Sequence, residues 1–393
     1  MEAQATAGLL RFFRGIQDPR ARNCSHFLSD VLSIAIMAVL CGSQGWAAVE
    51  SWGLLNRDWL ATFLDLPHGI PSHDTFDRIF GMLDPMAFEE CFMKWTSSLI
   101  GNSGGLFVAV DGKTLRRSWK RAWSKTPVHL VSAFVSKNNL VLGQLATDAK
   151  SNEITAIPKL LGMLVLAGRT VTIDAMGCQR EIAAQIIGQK GDYLLAVKDN
   201  QPTLFAAVSA LLDEGILDGF AGMRHGCFES FQDKNSHGRI ETRRVWVTDE
   251  VHWLGKELLE LWPGLKSIVV VESIRQDLGD LTGKVSTERR YYICSRGGAD
   301  NNLAQLLAQG IREHWGVENG LHWCLDVSMG EDKSRIRVAK GAENFSRLRR
   351  IALNKLKRCS LKNKNGKDLK LGVGLKQQCC GWSREFLLKA VLA

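Results

Sequence analysis

The sequence predicts a mixed α/β fold, with an all-helical region in front and a β-rich insertion inside. Three observations predict it. Residues 1–100 carry apolar residues at helical spacing. From residue 105, short apolar runs read as strands and then alternate with helical patterns, the mark of a mixed sheet with helix crossovers. Between 206 and 300, "GRIETRRVWVT", "LKSIVVVES" and "TERRYYICS" read as antiparallel strands with polar alternation.

Each element follows from local chemistry. "SHFLSDVLSIAIMAVLCG" predicts a buried helix with Ser29 as N-cap and Gly42 as stop. Its apolar run is too short to span a bilayer. In "GIPSHDTFDRIFGMLDP", Pro71 and Ser72 start a helix whose apolar face is Phe76, Ile79 and Phe80. A short helix after a turn suits DNA reading as well as plain packing. "LFVAV" predicts a first strand ending on Asp111, with Gly112-Lys113-Thr114 as the turn beyond it. A phosphate-binding loop would need glycine where Phe107 stands. "VHLVSAFV" and "LVLGQLAT" are the next two strands, and "NEITAIPKLLGMLVL" is a helix interrupted by Pro158. "RTVTID" is a fourth strand ending on Asp174, "CQREIAAQIIGQK" a helix and "DYLLAVK" a fifth strand. From 302 the chain is helical again, and "CSLKNKNGKDLKLG" has loop composition before a short last helix.

Of 393 residues, 45% are hydrophobic and 23% charged, an ordinary folded composition. Net charge is +9, but residues 331–393 alone hold 17 Lys and Arg against 5 Asp and Glu. That excess favours an anionic partner. No two of the ten cysteines form a CxxC pair, and Cys379 and Cys380 are adjacent, which suits neither a disulfide framework nor a zinc ribbon. The opening "MEAQATAGLLRFFRG" lacks the apolar core of a signal peptide, so a reducing cytoplasm is expected.

Two strand-end carboxylates, Asp111 and Asp174, are expected side by side if their strands are parallel neighbours. Such a pair persists if a cation bridges it or one member stays protonated. Mg²⁺ or Mn²⁺ suits hard oxygen ligands at an open site. The best third carboxylate is Glu318 in "REHWGVENGLHW", bracketed by Trp315 and Trp323. Regular α-helical spacing puts His314, Glu318 and His322 on one face. Those three would also fit a zinc hydrolase, which leaves Asp111 and Asp174 unexplained. A phosphotransferase with Asp111 as nucleophile would want a second Asp where Lys113 stands.

The segments "AVDGKTLRRS", "SNEITAIP", "TIDAMGCQREIA", "DYLLAVKDNQ", "SHGRIETR", "RYYI" and "HWGVENGLHWCLDV" resemble, in order, those of the DDE insertion-sequence transposases that include the H-repeat-associated proteins. The resemblance implies a ribonuclease-H-like core in two parts, 101–205 and 301–358, around the insertion at 206–300. A helical DNA-binding domain at 1–100 would precede it and a basic tail at 359–393 would follow. It implies metal-dependent DNA cleavage at element ends and strand transfer into target DNA. Asp111, Asp174 and Glu318 would be the triad, holding two Mg²⁺ ions or Mn²⁺ in their place. The implied partners are double-stranded DNA, as terminal repeats and target, and a second copy of the chain in the DNA complex. No membrane is implied, and the expected location is the cytoplasm, at the nucleoid.

The broader group's Tyr, Arg and Lys around its Glu are here Ile311, His314 and Leu325, with Arg312 and His322 as candidates for their roles. DNA contacts are expected from Arg116, Arg117, Lys198, Asn200, Gln201, His237, Arg239, Arg312, His314 and His322. Trp246, Trp262, Tyr291 and Tyr292 are candidates for base stacking, with core packing expected for at least two. A transposase-derived chain that binds DNA without cutting it would carry the same residues.

Overall fold

The computed structural model describes residues 8, 10–20, 24–100, 106–115, 127–147, 153–232, 239–277, 285–337 and 340–393. The chain runs α1 (Leu28–Leu40), α2 (Trp46–Leu55), α3 (Arg57–Leu60), α4 (His73–Met82) and α5 (Pro85–Ile100), then β1 (Phe107–Thr114), β2 (His129–Val135) and β3 (Leu140–Ala146). It continues through α6 (Glu153–Gly162), β4 (Thr170–Ile173), α7 (Arg180–Gly188), β5 (Asp192–Val197) and α8 (Pro202–Asp218). Then come β6 (His225–Gln232), β7 (Arg239–Thr248), α9 (Lys256–Leu261), β8 (Ser267–Asp277) and β9 (Val285–Cys294). The last helices are α10 (Asn301–Val317), α11 (Gly341–Arg358), α12 (Val373–Trp382) and α13 (Arg384–Leu392).

The strands form one nine-stranded mixed sheet, in the order β3-β2-β1-β4-β5-β9-β8-β7-β6. β1, β4 and β5 are parallel, β2 and β3 are antiparallel, and β9 to β6 add an antiparallel extension. The first five strands have the ribonuclease-H-like arrangement, and the insertion extends the same sheet. β6 and α8 were not expected from the sequence. The predicted turn at Gly112-Lys113-Thr114 is instead the last part of β1, so Asp111 lies within the strand.

The chain divides into two compact units. The first holds residues 1–104, 112–151 and 317–393. Its α1 is buried from Val31 to Leu40, as an all-round apolar helix should be. Ser29 is not its cap: the helix begins at Leu28 after an extended Phe27 with no side-chain cap. In α4, Ser72 does cap, accepting from the Thr75 N–H at 3.3 Å, and Phe76, Ile79 and Phe80 are buried as expected. α11 runs through the middle of this unit and is fixed by polar side chains. Asn354 exchanges two hydrogen bonds of 2.9 Å with the Val141 backbone in β3. Arg347 donates to Glu89 of α5 at 2.5 Å, with both side chains fully buried.

Residues 359–393, expected as a basic tail, hold α12 and α13, whose Cys380, Phe386, Leu387 and Val391 are buried. All ten cysteines are free. Among the described residues, no helix is long and apolar enough to cross a membrane.

The second unit holds residues 105–111 and 152–316. Its core forms where Leu303, Ala304, Leu307 and Ile311 of α10 meet Leu194, Val245, Val269 and Tyr292 of the sheet. Those α10 positions repeat at helical spacing, so one stripe of the helix lies on the sheet. Gly310 lets the helix approach β1: a Cβ there would collide with the Phe107 ring.

Candidate active site

β1 and β4 run parallel, in a register that ends with Val110 opposite Ile173. The next residues in that register are Asp111 and Asp174. Both residues therefore stand where the β1–β4 pairing ends, at the carboxyl-terminal end of β4 and within β1, which runs on to Thr114; sheets of this class bind ligands at such strand ends. Four apolar residues from Phe107 to Val110 drive β1 into the core, and the Thr170–Ile173 run does the same for β4. The continuous buried run ends at the aspartate in each strand, and both aspartates are half-buried. Asp174 Oδ1 accepts from the Gly177 N–H at 3.3 Å, closing a tight turn over residues 175–177.

Residues from the end of β5 secure that turn. Asn200 Nδ2 donates to the Ala175 carbonyl at 2.5 Å, and Gln201 Nε2 donates to the Cys178 carbonyl at 3.0 Å. Both amides thus hold the backbone next to Asp174. Lys198, three residues earlier in chain order than Gln201, is exposed. His314 lies against the same strand, its Nδ1 sharing a 3.0 Å hydrogen bond with Thr172 Oγ1. Thr172 and Asp174 are two apart in an extended segment and so share a face. Burial pushes the His314 pKa down, against the pull of Asp174, so the ring is neutral near pH 7.

Glu318 is exposed and stands at a change of helix type. Residues Glu318–His322 and Cys324–Ser328 are π-helical, with the Trp323 N–H bonded to the Glu318 carbonyl. Such wide turns recur at functional sites and leave some carbonyls without their usual partner. Here Lys357 Nζ donates to the Gly320 carbonyl at 2.6 Å and to Asn139 Oδ1 at 2.9 Å. The π turns also break the i, i+4, i+8 spacing that would put His322 on the face of His314 and Glu318. Trp315 and Trp323 are 40% and 55% exposed, so they do not shield the glutamate.

A buried charge cluster, not expected from the sequence, lies in the first unit. Lys113 Nζ donates to Asp326 and, at 3.0 Å, to Glu331 Oε2. Glu331 Oε1 accepts from Ser346 Oγ at 2.7 Å and from Arg350 Nη1 at 3.0 Å. Burial alone would raise the Glu331 pKa, but Arg350 and Lys113 hold it far below the usual carboxylate range. Burial, then Lys113 and Arg350, drives His322 down to about 4. At neutral pH His322 is therefore an uncharged ring and a poor phosphate partner.

The other candidates divide. The Arg312 guanidinium faces the Gln232 side-chain amide. Trp262, Tyr291 and Tyr292 are core residues, and Tyr291 Oη donates to Asp213 at 2.8 Å. Trp246 is half-buried in β7. Arg116, Arg117 and His237 lie outside the described residues, as does the side chain of Arg239. Among the described residues, no three His, Cys, Asp or Glu side chains are grouped to hold a metal ion by themselves. The paired strand-end carboxylates do have the hard oxygen donors that suit Mg²⁺ or Mn²⁺ completed by water.

Residues 10–96 match a family described as DDE_Tnp_1-associated, and residues 102–355 match the transposase DDE domain family. The chain is 40% identical to "Putative transposase YncI" of Escherichia coli O157:H7, over 94% of this chain and 90% of that protein. It is 40% identical to "H repeat-associated putative transposase YhhI" of Escherichia coli K12, over 92% and 91%. Among solved structures it is similar to a piggyBac transposase synaptic complex with hairpin DNA, with TM-score 0.41 and 10% identity, over 100% of this chain and 79% of that one. A β-strand edge with paired aspartates and a downstream glutamate helix are thus found in a chain that belongs to the transposase DDE domain family.

Proposed function

We propose that this protein is a polynucleotidyl transferase that cuts double-stranded DNA at the ends of an insertion element and joins the freed 3′ ends to target DNA. The observation that supports this reading is the parallel register that ends at Val110 and Ile173, with Asp111 and Asp174 the next residues on the two strands. Asp111 and Asp174, with Glu318 as the third carboxylate, would hold two divalent ions. When bound, such ions supply an acidified water or 3′-hydroxyl and stabilise charge on the leaving oxygen.

The chain's own residues do the rest. Asn200 and Gln201 hold the Asp174 turn, so the carboxylate is oriented before metal or DNA arrives. Neutral His314 fixes the face of β4 through Thr172 and adds no positive charge beside Asp174. Exposed Lys198 and Arg312 are available to phosphates. In this reading residues 1–100 form a helical element that recognises DNA, 101–205 and 301–358 the catalytic core, and 206–300 its insertion. Two copies act together on the paired ends.

The test is nicking of a supercoiled plasmid carrying the element ends by the full chain. Cleavage with Mg²⁺ or Mn²⁺, and none with EDTA, is expected, with duplex binding retained in EDTA. Binding without cleavage under every metal condition would overturn the enzymatic reading.

A further inference from the structure

The positive charge near the C-terminus is of two physical kinds. One kind is internal. Arg347, Arg349, Arg350 and Lys355 of α11 are all buried, and each has a partner: Arg347 with Glu89, Arg349 with the Gln44 carbonyl, Arg350 with Glu331, Lys355 with the Val391 carbonyl. Lys357 and Lys376 also donate to backbone carbonyls of the same unit, those of Gly320 and Leu356. Arg347, Arg349, Arg350 and Lys355 are thus closed off from a partner molecule.

The other kind is exposed: single cations are scattered at Lys333, Arg335, Lys340, Arg358, Arg384 and Lys389, and a run of four lies between α11 and α12. Every residue from 361 to 370 is exposed, and Lys362, Lys364, Lys367 and Lys370 fall within that stretch. Among the described residues, no carboxylate pairs with any of the four. The one acid in the stretch, Asp368, accepts from Ser360 Oγ at 2.9 Å. The stretch is nonetheless a defined hairpin. Lys362 and Asp368 form an antiparallel bridge, and the Leu369 N–H donates to the Leu361 carbonyl at 2.8 Å. Asn363 Oδ1 accepts from the N–H groups of Asn365 at 2.9 Å and Lys367 at 3.0 Å. Gly366 turns the chain at φ 74°, in the left-handed region open to glycine. A flexible solubilising tail needs none of these bonds.

We infer that the Lys362–Lys370 hairpin is a sequence-independent contact for the phosphates of duplex DNA. The inference rests on the DNA reading above. Lysine ammonium groups suit it because they bind phosphate as point charges and carry no base-specific geometry. Each phosphate neutralised releases counterions and contributes about −0.9 to the slope of log K against log salt on duplex DNA.

The experiment compares the full chain with a variant bearing Lys362, Lys364, Lys367 and Lys370 all changed to Gln, and with the same four changed to Arg. Binding is measured across a salt series on a duplex carrying an element end, on a random duplex and on single-stranded RNA. The Gln variant should lose roughly 2 to 4 units of slope on both duplexes equally, and the Arg variant should keep the parent slope. A change under about one unit would overturn the inference, as would a loss confined to the element-end duplex or to RNA. Failure of the DNA reading itself looks different: the parent would then bind neither duplex.

Discussion

Lys113 Nζ donates to Glu331 Oε2 across 3.0 Å, and both side chains are buried. Lys113 sits two residues beyond Asp111 in β1. Its other acceptor, Asp326, is in the π-helical stretch that begins at Glu318. Removing one partner of a buried ion pair leaves the other charge without compensation, at a cost of about 3–5 kcal/mol. Glu331 keeps Arg350 when Lys113 is removed, so Lys113→Met should destabilise by less than that, and Lys113→Met combined with Glu331→Gln, which also strips Arg350 of its carboxylate, by more, though by less than the sum of the two single variants. Urea denaturation of the parent, the two single variants and the double variant checks this. Strict additivity would show that the two side chains are not coupled.

Asn200 distinguishes positioning from DNA contact. Its amide is committed to the Ala175 carbonyl beside Asp174. Loss of a group that orients a metal ligand typically lowers activity by roughly 10–100-fold. Asn200→Ala should lower Mg²⁺-dependent nicking by that order while leaving duplex affinity and its salt slope unchanged. A reduced slope with normal nicking would instead make Asn200 a phosphate ligand.

Gly310 is set by contact with β1. A methyl group there would meet three atoms of the Phe107 ring, the strand neighbour of Thr170. Overpacking of this kind costs about 1–3 kcal/mol. Gly310→Ala should lower the denaturation midpoint, and Phe107→Leu in the same chain should recover part of the loss. No loss in the single variant would contradict the close packing of α10 on β1.

Lys355 gives a pH signature. Burial, with a smaller push from Arg358, lowers its pKa from the usual lysine range to about 7. Between about pH 7 and 10 the unfolded chain holds a proton on this residue that the native chain does not. Stability from this group therefore rises with pH through that window, by at most about 1.4 kcal/mol per pH unit. Relative to Lys355→Met, the parent should gain stability between pH 7 and pH 9.5. An unchanged difference across that range would contradict a neutral buried lysine.

The sheet was legible because its central strands are apolar runs. Phe107–Val110 and Tyr193–Leu195 are hydrophobic on both faces, the pattern of strands covered on two sides, and Thr170–Ile173 is buried throughout with its two threonines on one face. β6 escaped notice because "HGCFESFQ" at the sheet edge alternates weakly and buries little. α8 carried readable signals, Pro202 in its first turn and Gly219 at its stop, but it falls where the insertion was expected to begin. At the site, Asp111 and Asp174 were legible as acids closing apolar strands. The partners of Lys113 were not, because they lie 213 and 218 residues away in sequence. The π turns at Glu318 have no periodicity that separates them from an α-helix. Charge counting also misread the C-terminal region, since it gives a buried Arg350 and an exposed Lys364 the same weight.

In the proposed function, Asp111, Asp174 and Glu318 together would hold the catalytic metal ions. Asp174→Asn tests it most directly, because it removes a metal ligand while keeping the side-chain volume and an oxygen to accept from Gly177. The measurement is Mg²⁺-dependent nicking of a plasmid carrying the element ends, beside binding of the same DNA in EDTA. Nicking should be abolished and binding retained. Nicking at the parent rate would contradict the assignment.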